Sequence, residues 1–283
     1  MLEINRLSFP GLGIEPFEVN TVAFTVFGMD IAWYALIITF GMILAVSYTI
    51  FRARKIGVTV DDVIDYVIYV IPIGVLGARL YYVIMEIENY STLKEVFAFR
   101  DGGLAIYGGI IAGTITVFAV CYFKKIYFPA FGDCVVPGLI LAQSIGRWGN
   151  FVNAEAHGGE TDIFIRMGIE KFGGVFEYVH PTFLYESMWN LIGFIAINFI
   201  YKHKKYDGQI ILIVFGWYGL GRMLIEGMRT DSLYLWGTSI RTSQALAALI
   251  LICCVAGLVY FAIKPPKREM FIKPAKEKSE NKA

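Results

Sequence analysis

Two stretches of this sequence carry side chains that apolar segments do not need for folding. The first, GRWGNFVNAEAHG, runs from Gly146 to Gly158 and closes an apolar run. It sets Arg147, Asn150, Asn153 and Glu155 among glycines that permit close backbone approach to a ligand or a neighbouring helix. The second places Tyr218, Arg222 and Glu226 four residues apart, with Arg229 three further on. At helical spacing these four share one face. An ionisable side chain at mid-bilayer depth costs about 2.5–3.5 kcal/mol on insertion scales, so such a face turns to a bundle interior or a wet cavity. Guanidinium forks with asparagine amides suit an anion, above all phosphate, whose oxygens they bind in pairs.

The elements that must position these groups are membrane spans. The chain has 283 residues, of which 57% are hydrophobic and 17% charged, with a mean hydropathy of +0.59. That excludes an ordinary soluble domain. Seven apolar runs reach the roughly 20 residues a helix needs to cross a bilayer, near 31–51, 64–85, 103–123, 131–152, 181–201, 209–229 and 243–263. The fold class expected is an all-α polytopic membrane protein of about seven transmembrane helices with a small extracytoplasmic cap. The start, Met1 to Asn20, carries Glu3, Glu15 and Glu18 and lacks the basic region and short apolar core of a cleaved signal peptide. Cys121, Cys134, Cys253 and Cys254 lie in or beside apolar runs without ligand spacing, and read as structural thiols.

Lysine and arginine set the orientation. One set of connections holds Arg52, Arg54 and Lys55, then Lys124 and Lys125, then Lys202, Lys204 and Lys205, and the tail at 264–283 adds a further basic cluster. The opposite set holds only Arg6, Lys94, Arg100, Arg166, Lys171, Arg229 and Arg241. The N-terminus is therefore expected outside and the C-terminus in the cytoplasm. Residues 1–30 form an extracytoplasmic segment, 31–152 the first four spans with an external loop near 86–101, and 153–180 the cap. The last three spans occupy 181–263, before the basic cytoplasmic tail. Within the cap, IFIRMGI and GVFEYVH read as short strands about a turn.

Orientation fixes depth. Tyr34, Arg79, Tyr107, Arg147, Asn150, His180, Tyr185, Glu186, Tyr218, Arg222, Glu226 and Arg229 all fall in the outer halves of their spans, while the inner halves are mostly apolar. Single members have plainer readings. Arg222 with Glu226 reads equally as a structural ion pair or as ligand groups. Arg79 reads as a side chain reaching up to the headgroup layer, and Gly109 with Gly113 as helix packing. Asp61, Asp62 and Asp65 read as a helix start. The residues alone lead to an outer-leaflet phospholipid site, with enzyme and transporter both open.

The stretch Gly146–Gly158 resembles the G-R-x-G-N-F-x-N-x-E-x-x-G signature of the prolipoprotein diacylglyceryl transferase family, with each fixed position present. WYA from Trp33, GAR from Gly77, DGGLAIYGG from Asp101, HPTFLYE from His180 and YGLGRMLIEGMR from Tyr218 follow the family's order. The resemblance implies transfer of the diacylglyceryl group of phosphatidylglycerol to the lipobox cysteine of an exported prolipoprotein, forming a thioether and releasing glycerol phosphate. It implies a multi-pass protein of the bacterial cytoplasmic (inner) membrane, its site toward the extracytoplasmic side, without metal, cofactor or nucleic acid. It assigns Arg147, Arg222, Tyr107, Glu155 and Tyr34 to catalysis. To substrate binding it assigns Arg147, Asn150, Asn153, Gly158, Tyr218, Glu226, Arg229, His180 and Glu186. Many members have histidine where this chain has Tyr107, and a hydroxyl with a pKa near 10 is a poor base. The rival, a phospholipid or organic-anion transporter on the same arginine layer, calls for inverted repeats and broken helices. A scaffold with a purely structural polar layer would tolerate a swap of Arg222 and Glu226.

Overall fold

The computed structural model describes residues 4–90, 92–97, 102–171, 173–230, 234, 238, 241–264 and 266. Most of the basic tail expected at 264–283 lies outside them, as do Arg100 and Asp101. The chain opens with strands β1 (Ile4–Phe9), β2 (Ile14–Asn20), β3 (Val22–Val26) and β4 (Met29–Ala32). Helices α1 (Trp33–Ala53), α2 (Val60–Met85), the short α3 (Leu93–Val96), α4 (Ile106–Lys124) and α5 (Phe128–Val152) follow. Strands β5 (Met167–Glu170) and β6 (Phe176–Val179) precede α6 (Thr182–Tyr201), α7 (Gln209–Ile225) and α8 (Thr242–Ile263). All helices but α3 are long and apolar enough to span a membrane, seven among the described residues. The protein is a multi-pass membrane protein. Both α2 and α5 run unbroken through an internal proline, Pro72 and Pro137.

The helix edges follow local chemistry. Helix α2 starts four residues before its apolar run because Thr59 and Asp62 form a reciprocal capping box. Helix α7 stops at Ile225, short of the expected 229, where Glu226–Met228 tightens into a 3-10 turn and Arg229 leaves in extended conformation. Arg229 is therefore not on the helix face with Tyr218 and Arg222. Its backbone is drawn off by an antiparallel bridge to Gly158.

Two compact units emerge among the described residues, one built from the chain up to Tyr48 and from Gly132 to the end of α8, the other from Thr49–Phe131. In the first, the cap is larger than residues 153–180. A four-stranded antiparallel sheet runs in the order β2-β1-β5-β6, with Leu7 opposite Ile169 and Met167 opposite Val179. Its inner face buries Leu7, Phe9, Met167, Ile169 and Val179 on Phe183, with Phe151 packed alongside. The N-terminal segment is thus half of the cap. The signal was present: Leu7 and Phe9, then Phe17 and Val19, alternate around Pro10–Gly13 as a hairpin should.

Also in this unit, α1 lies close against α5. A methyl group on Gly138 would fall 2.8 Å from the Ala45 carbonyl oxygen, and one on Gly149 would fall 2.6 Å from the Tyr34 ring. Small residues are what permit such approach between membrane helices. At the far end of α5 the buried Asp133 accepts Lys204 Nζ at 2.9 Å and the amides of Gly208 and Ile211 at 2.8 and 2.9 Å. It caps α7 from another helix.

In the second unit α2 and α4 touch along glycines, Gly77 against Gly108 and Gly74 against Gly109. Arg79 does not reach for headgroups. It is only 4% exposed and donates to the carbonyls of Val96 (2.8 Å), Gly102 (2.6 Å), Gly103 (3.1 Å) and Glu95 (2.7 Å). Its burial is tolerable because main-chain acceptors converge on the fork. The guanidinium ties the segment at Glu95–Val96 to the turn before Tyr107, which sits half-buried in the first turn of α4.

Candidate active site

The polar residues of the first unit form two linked clusters. At the end of α5, Arg147 Nη1 donates to Asn150 Oδ1 at 3.2 Å. Asn150 and Asn153 donate in turn to Glu155 Oε1 at 2.9 and 3.3 Å. The chain doubles back to allow this. Ala154 and Ala156, on either side of Glu155, adopt left-handed φ values of 52° and 55°, a region few non-glycine residues occupy.

The second cluster centres on Glu186 of α6, 5% exposed. Its Oε2 pairs with Arg147 Nη2. Its Oε1 receives Arg222 Nη1 at 3.1 Å and Arg229 Nη1 at 3.4 Å. Guanidiniums from three separate segments therefore meet on one carboxylate. Glu226, 1% exposed, takes Arg222 Nη2 at 2.7 Å and lies 3.9 Å from Arg229 Nε. Arg222 and Glu226 do form an ion pair, and Arg222 serves the ligand-like cluster as well. Among the described residues, Arg147, Arg222 and Arg229 thus share Glu186 and Glu226.

Two clasps set the helix rotations that make this possible. Between α5 and α6, Ser144 Oγ donates to the Ser187 carbonyl at 2.7 Å, and Trp148 Nε1 donates to Ser187 Oγ at 3.1 Å. The neighbours of those residues, Arg147 and Glu186, are thereby brought face to face. Between α6 and α7, Trp189 and Trp217 stack with ring centroids 4.3 Å apart. Each donates its indole N–H to the other's carbonyl at 3.0 Å. Each ring also lies on a glycine one turn along the other helix, Trp217 on Gly193 and Trp189 on Gly221. This fixes the register that places Arg222 beside Glu186.

Tyr218 joins Glu186, Trp189, Asn190 and Arg222 in lining a narrow cleft. Tyr34 borders Gly149 at the start of α1. His180 accepts or donates at Nδ1 with the Tyr185 hydroxyl at 3.3 Å, and its backbone exchanges bonds with Gly158 and Gly159. Gly158 works through its backbone: a methyl group there would meet His180 Cβ at 2.6 Å and the Met228 carbonyl at 2.9 Å. Tyr107 belongs to the other unit, in the first turn of α4.

A model of the family described as prolipoprotein diacylglyceryl transferase matches residues 21–260. The chain belongs to that family. A phosphatidylglycerol–prolipoprotein diacylglyceryl transferase of Clostridioides difficile is 42% identical over 247 residues, covering 87% of this chain and 97% of the relative. One from Streptococcus equi subsp. equi is 44% identical over 247 residues, 84% and 93% respectively. Another from Clostridium perfringens is 38% identical over 260 residues, 88% and 97%.

The protein is thus a transferase of the lipoprotein-maturation family, and its polar cluster holds groups the sequence reading passed over. Arg241, counted there only as a loop cation, donates Nη1 to the Glu226 carbonyl, and Ser243 donates its hydroxyl to Glu226 Oε1. Both open the last span, which the sequence motifs do not reach but the family model covers. Their signal was an arginine and a serine entering the seventh apolar run at the same depth as Arg229.

Proposed function

We propose that this protein transfers the diacylglyceryl group of phosphatidylglycerol to the lipobox cysteine thiol of an exported prolipoprotein, at the extracytoplasmic side of a bacterial cytoplasmic membrane. The observation that carries the reading is the convergence of Arg147, Arg222 and Arg229 on Glu186. In this reaction the cysteine sulfur attacks the glycerol carbon bonded to the phosphate oxygen. The C–S thioether forms as the C–O bond breaks, and glycerol phosphate leaves with the bonding pair.

Negative charge grows on the departing phosphate, so preorganised cations in a low-dielectric site stabilise the transition state more than the ground state. Arg147 and Asn150 hold the headgroup, and Arg222 faces the departing phosphate or the thiolate. Glu186 and Glu226 keep the guanidiniums in place, while Glu155 steadies Asn150 and Asn153. Tyr34 and Tyr218 donate hydroxyls, and Tyr107 donates a hydrogen bond rather than acting as base. A free thiol with a pKa near 8.5 is only a few per cent ionised at neutral pH, and a guanidinium beside it raises that fraction. The unbroken course of α2 and α5 favours this over a transporter, whose sites are built from interrupted helices.

The test is direct. Purified protein in detergent is mixed with phosphatidylglycerol and a lipobox peptide, and the peptide is weighed by mass spectrometry. A mass gain of one diacylglyceryl group on the cysteine supports the reading. An unmodified, reduced cysteine with folded enzyme and both substrates present overturns it.

A further inference from the structure

The hairpin β3–β4 stands apart from the four-stranded sheet as a two-stranded ribbon. Two strands alone are marginal in water. Its turn makes that worse. Phe27 and Gly28 both adopt positive φ, 51° and 77°, the pattern of a tight two-residue hairpin loop that favours asparagine and glycine. Phenylalanine gains nothing there from its backbone, and its side chain is 97% exposed. Phe24, Val26 and Met29 beside it are exposed as well. No charge occurs from Thr21 to Met29. The first charged residue, Asp30, accepts the Thr25 hydroxyl at 2.6 Å.

The hairpin runs straight into a membrane span. The Trp33 amide that opens α1 bonds to the Thr21 carbonyl at 2.9 Å and closes the hairpin's base at the helix end. Trp33 is itself exposed, and below it Phe40 and Ile43 continue the apolar surface. Those α1 residues face hydrocarbon, and an exposed tryptophan at a span's end marks the interface. Five strand residues at about 3.4 Å each carry the tip about 17 Å from its base. Turned toward the bilayer, such a reach exceeds the interfacial layer, roughly 5–8 Å per leaflet from the bilayer dimensions.

We propose that the β3–β4 tip dips into the lipid leaflet at which α1 begins, with Phe27 as its deepest side chain. The hairpin is then a membrane-surface contact that holds the cap against the bilayer. The proposal rests on α1 spanning the membrane and is independent of the transfer chemistry.

The experiment uses full-length protein carrying Phe27→Trp, reconstituted in phosphatidylcholine–phosphatidylglycerol vesicles whose acyl chains are brominated at defined depths. Emission is read as the difference from wild type. The added indole should lose at least half its emission to bromine near the headgroup end of the chains and less than a tenth to iodide in the water. Met29→Trp, a second reporter should the first variant misfold, should show the same order. Quenching by iodide and not by bromine would overturn the proposal by placing the tip in water. So would shielding from iodide that appears only when a lipobox peptide is added, since the occupant would then be polypeptide.

Discussion

Replacing Glu186 with glutamine tests whether one buried carboxylate organises the site. The variant keeps size and shape but removes the charge on which Arg147, Arg222 and Arg229 converge. A unit pair about 4 Å apart is worth about 4 kcal/mol at an effective dielectric of 20. Three such terms do not simply add. Glu226 still serves Arg222 at 2.7 Å, Arg147 keeps partial access to solvent, and glutamine still accepts one hydrogen bond. The measured cost of leaving a buried charge unpaired, about 3–5 kcal/mol, is the better guide.

At about 2–4 °C per kcal/mol for chains near this size, the melting midpoint should fall by about 6–20 °C. Turnover per folded molecule should fall by about 10²–10³, the usual loss when a preorganised charge-stabilising group is displaced. Glu186→Asp keeps the charge but withdraws it by one methylene, so it holds fewer than three guanidiniums and should lie between. Melting by intrinsic fluorescence in detergent and peptide adduct formation by mass spectrometry read both effects. A glutamine variant that melts within about 2 °C of wild type and turns over within about twofold would refute the argument.

Asp133→Asn should lower the melting midpoint while turnover of the folded fraction stays within about twofold, because its partners lie at the other end of α5; the loss expected is about 3 kcal/mol. Burial pulls the Lys204 pKa down, but Asp133 and Asp207 outweigh it and hold it above 10.5. Its contribution is therefore fully present below about pH 10.5 and lost as pH rises through the folded value, so a melting series from pH 6 to 9 should show no change traceable to Lys204. Gly158→Ala should impair both folding yield and turnover, since its methyl group must displace His180 or the Met228 carbonyl; a normal melt and normal rate would remove the packing explanation. Tyr107→Phe should cost less activity than Arg147→Ala, and complete inactivity of well-folded Tyr107→Phe would assign that hydroxyl a part in proton transfer.

The seven spans were legible because each apolar run is long and unbroken, and local capping explains where edges moved. Strands β5 and β6 were legible from alternation about a glycine-rich turn. That β1 joins β5 was not, since nothing local marks a pairing between residues 7 and 169. Depth along each span brought Arg147, Arg222 and Arg229 to one level. It could not give rotation, and rotation decides which carboxylate they share. Glu186 emerged as the hub only through the Ser144–Ser187 contact and the Trp189–Trp217 stack, which are long-range facts. The same missing dimension misplaced Arg79. Depth alone sent it to the headgroups, whereas its rotation turns it into a ring of carbonyls from the loop beside it.

The geometry of the cluster fits the proposed reaction better than a simple structural ion pair. Among the described residues, Arg147, Arg222 and Arg229 meet on Glu186, and Arg222 and Arg229 also lie beside Glu226. A guanidinium has five N–H donors and a carboxylate about four acceptor sites, so one carboxylate does not satisfy three guanidiniums by itself. A phosphodiester supplies acceptor oxygens that such forks bind in pairs. As the C–O bond breaks, the leaving glycerol phosphate gains negative charge. Guanidiniums held in place beforehand by Glu186 and Glu226 then bind the transition state more tightly than the substrate.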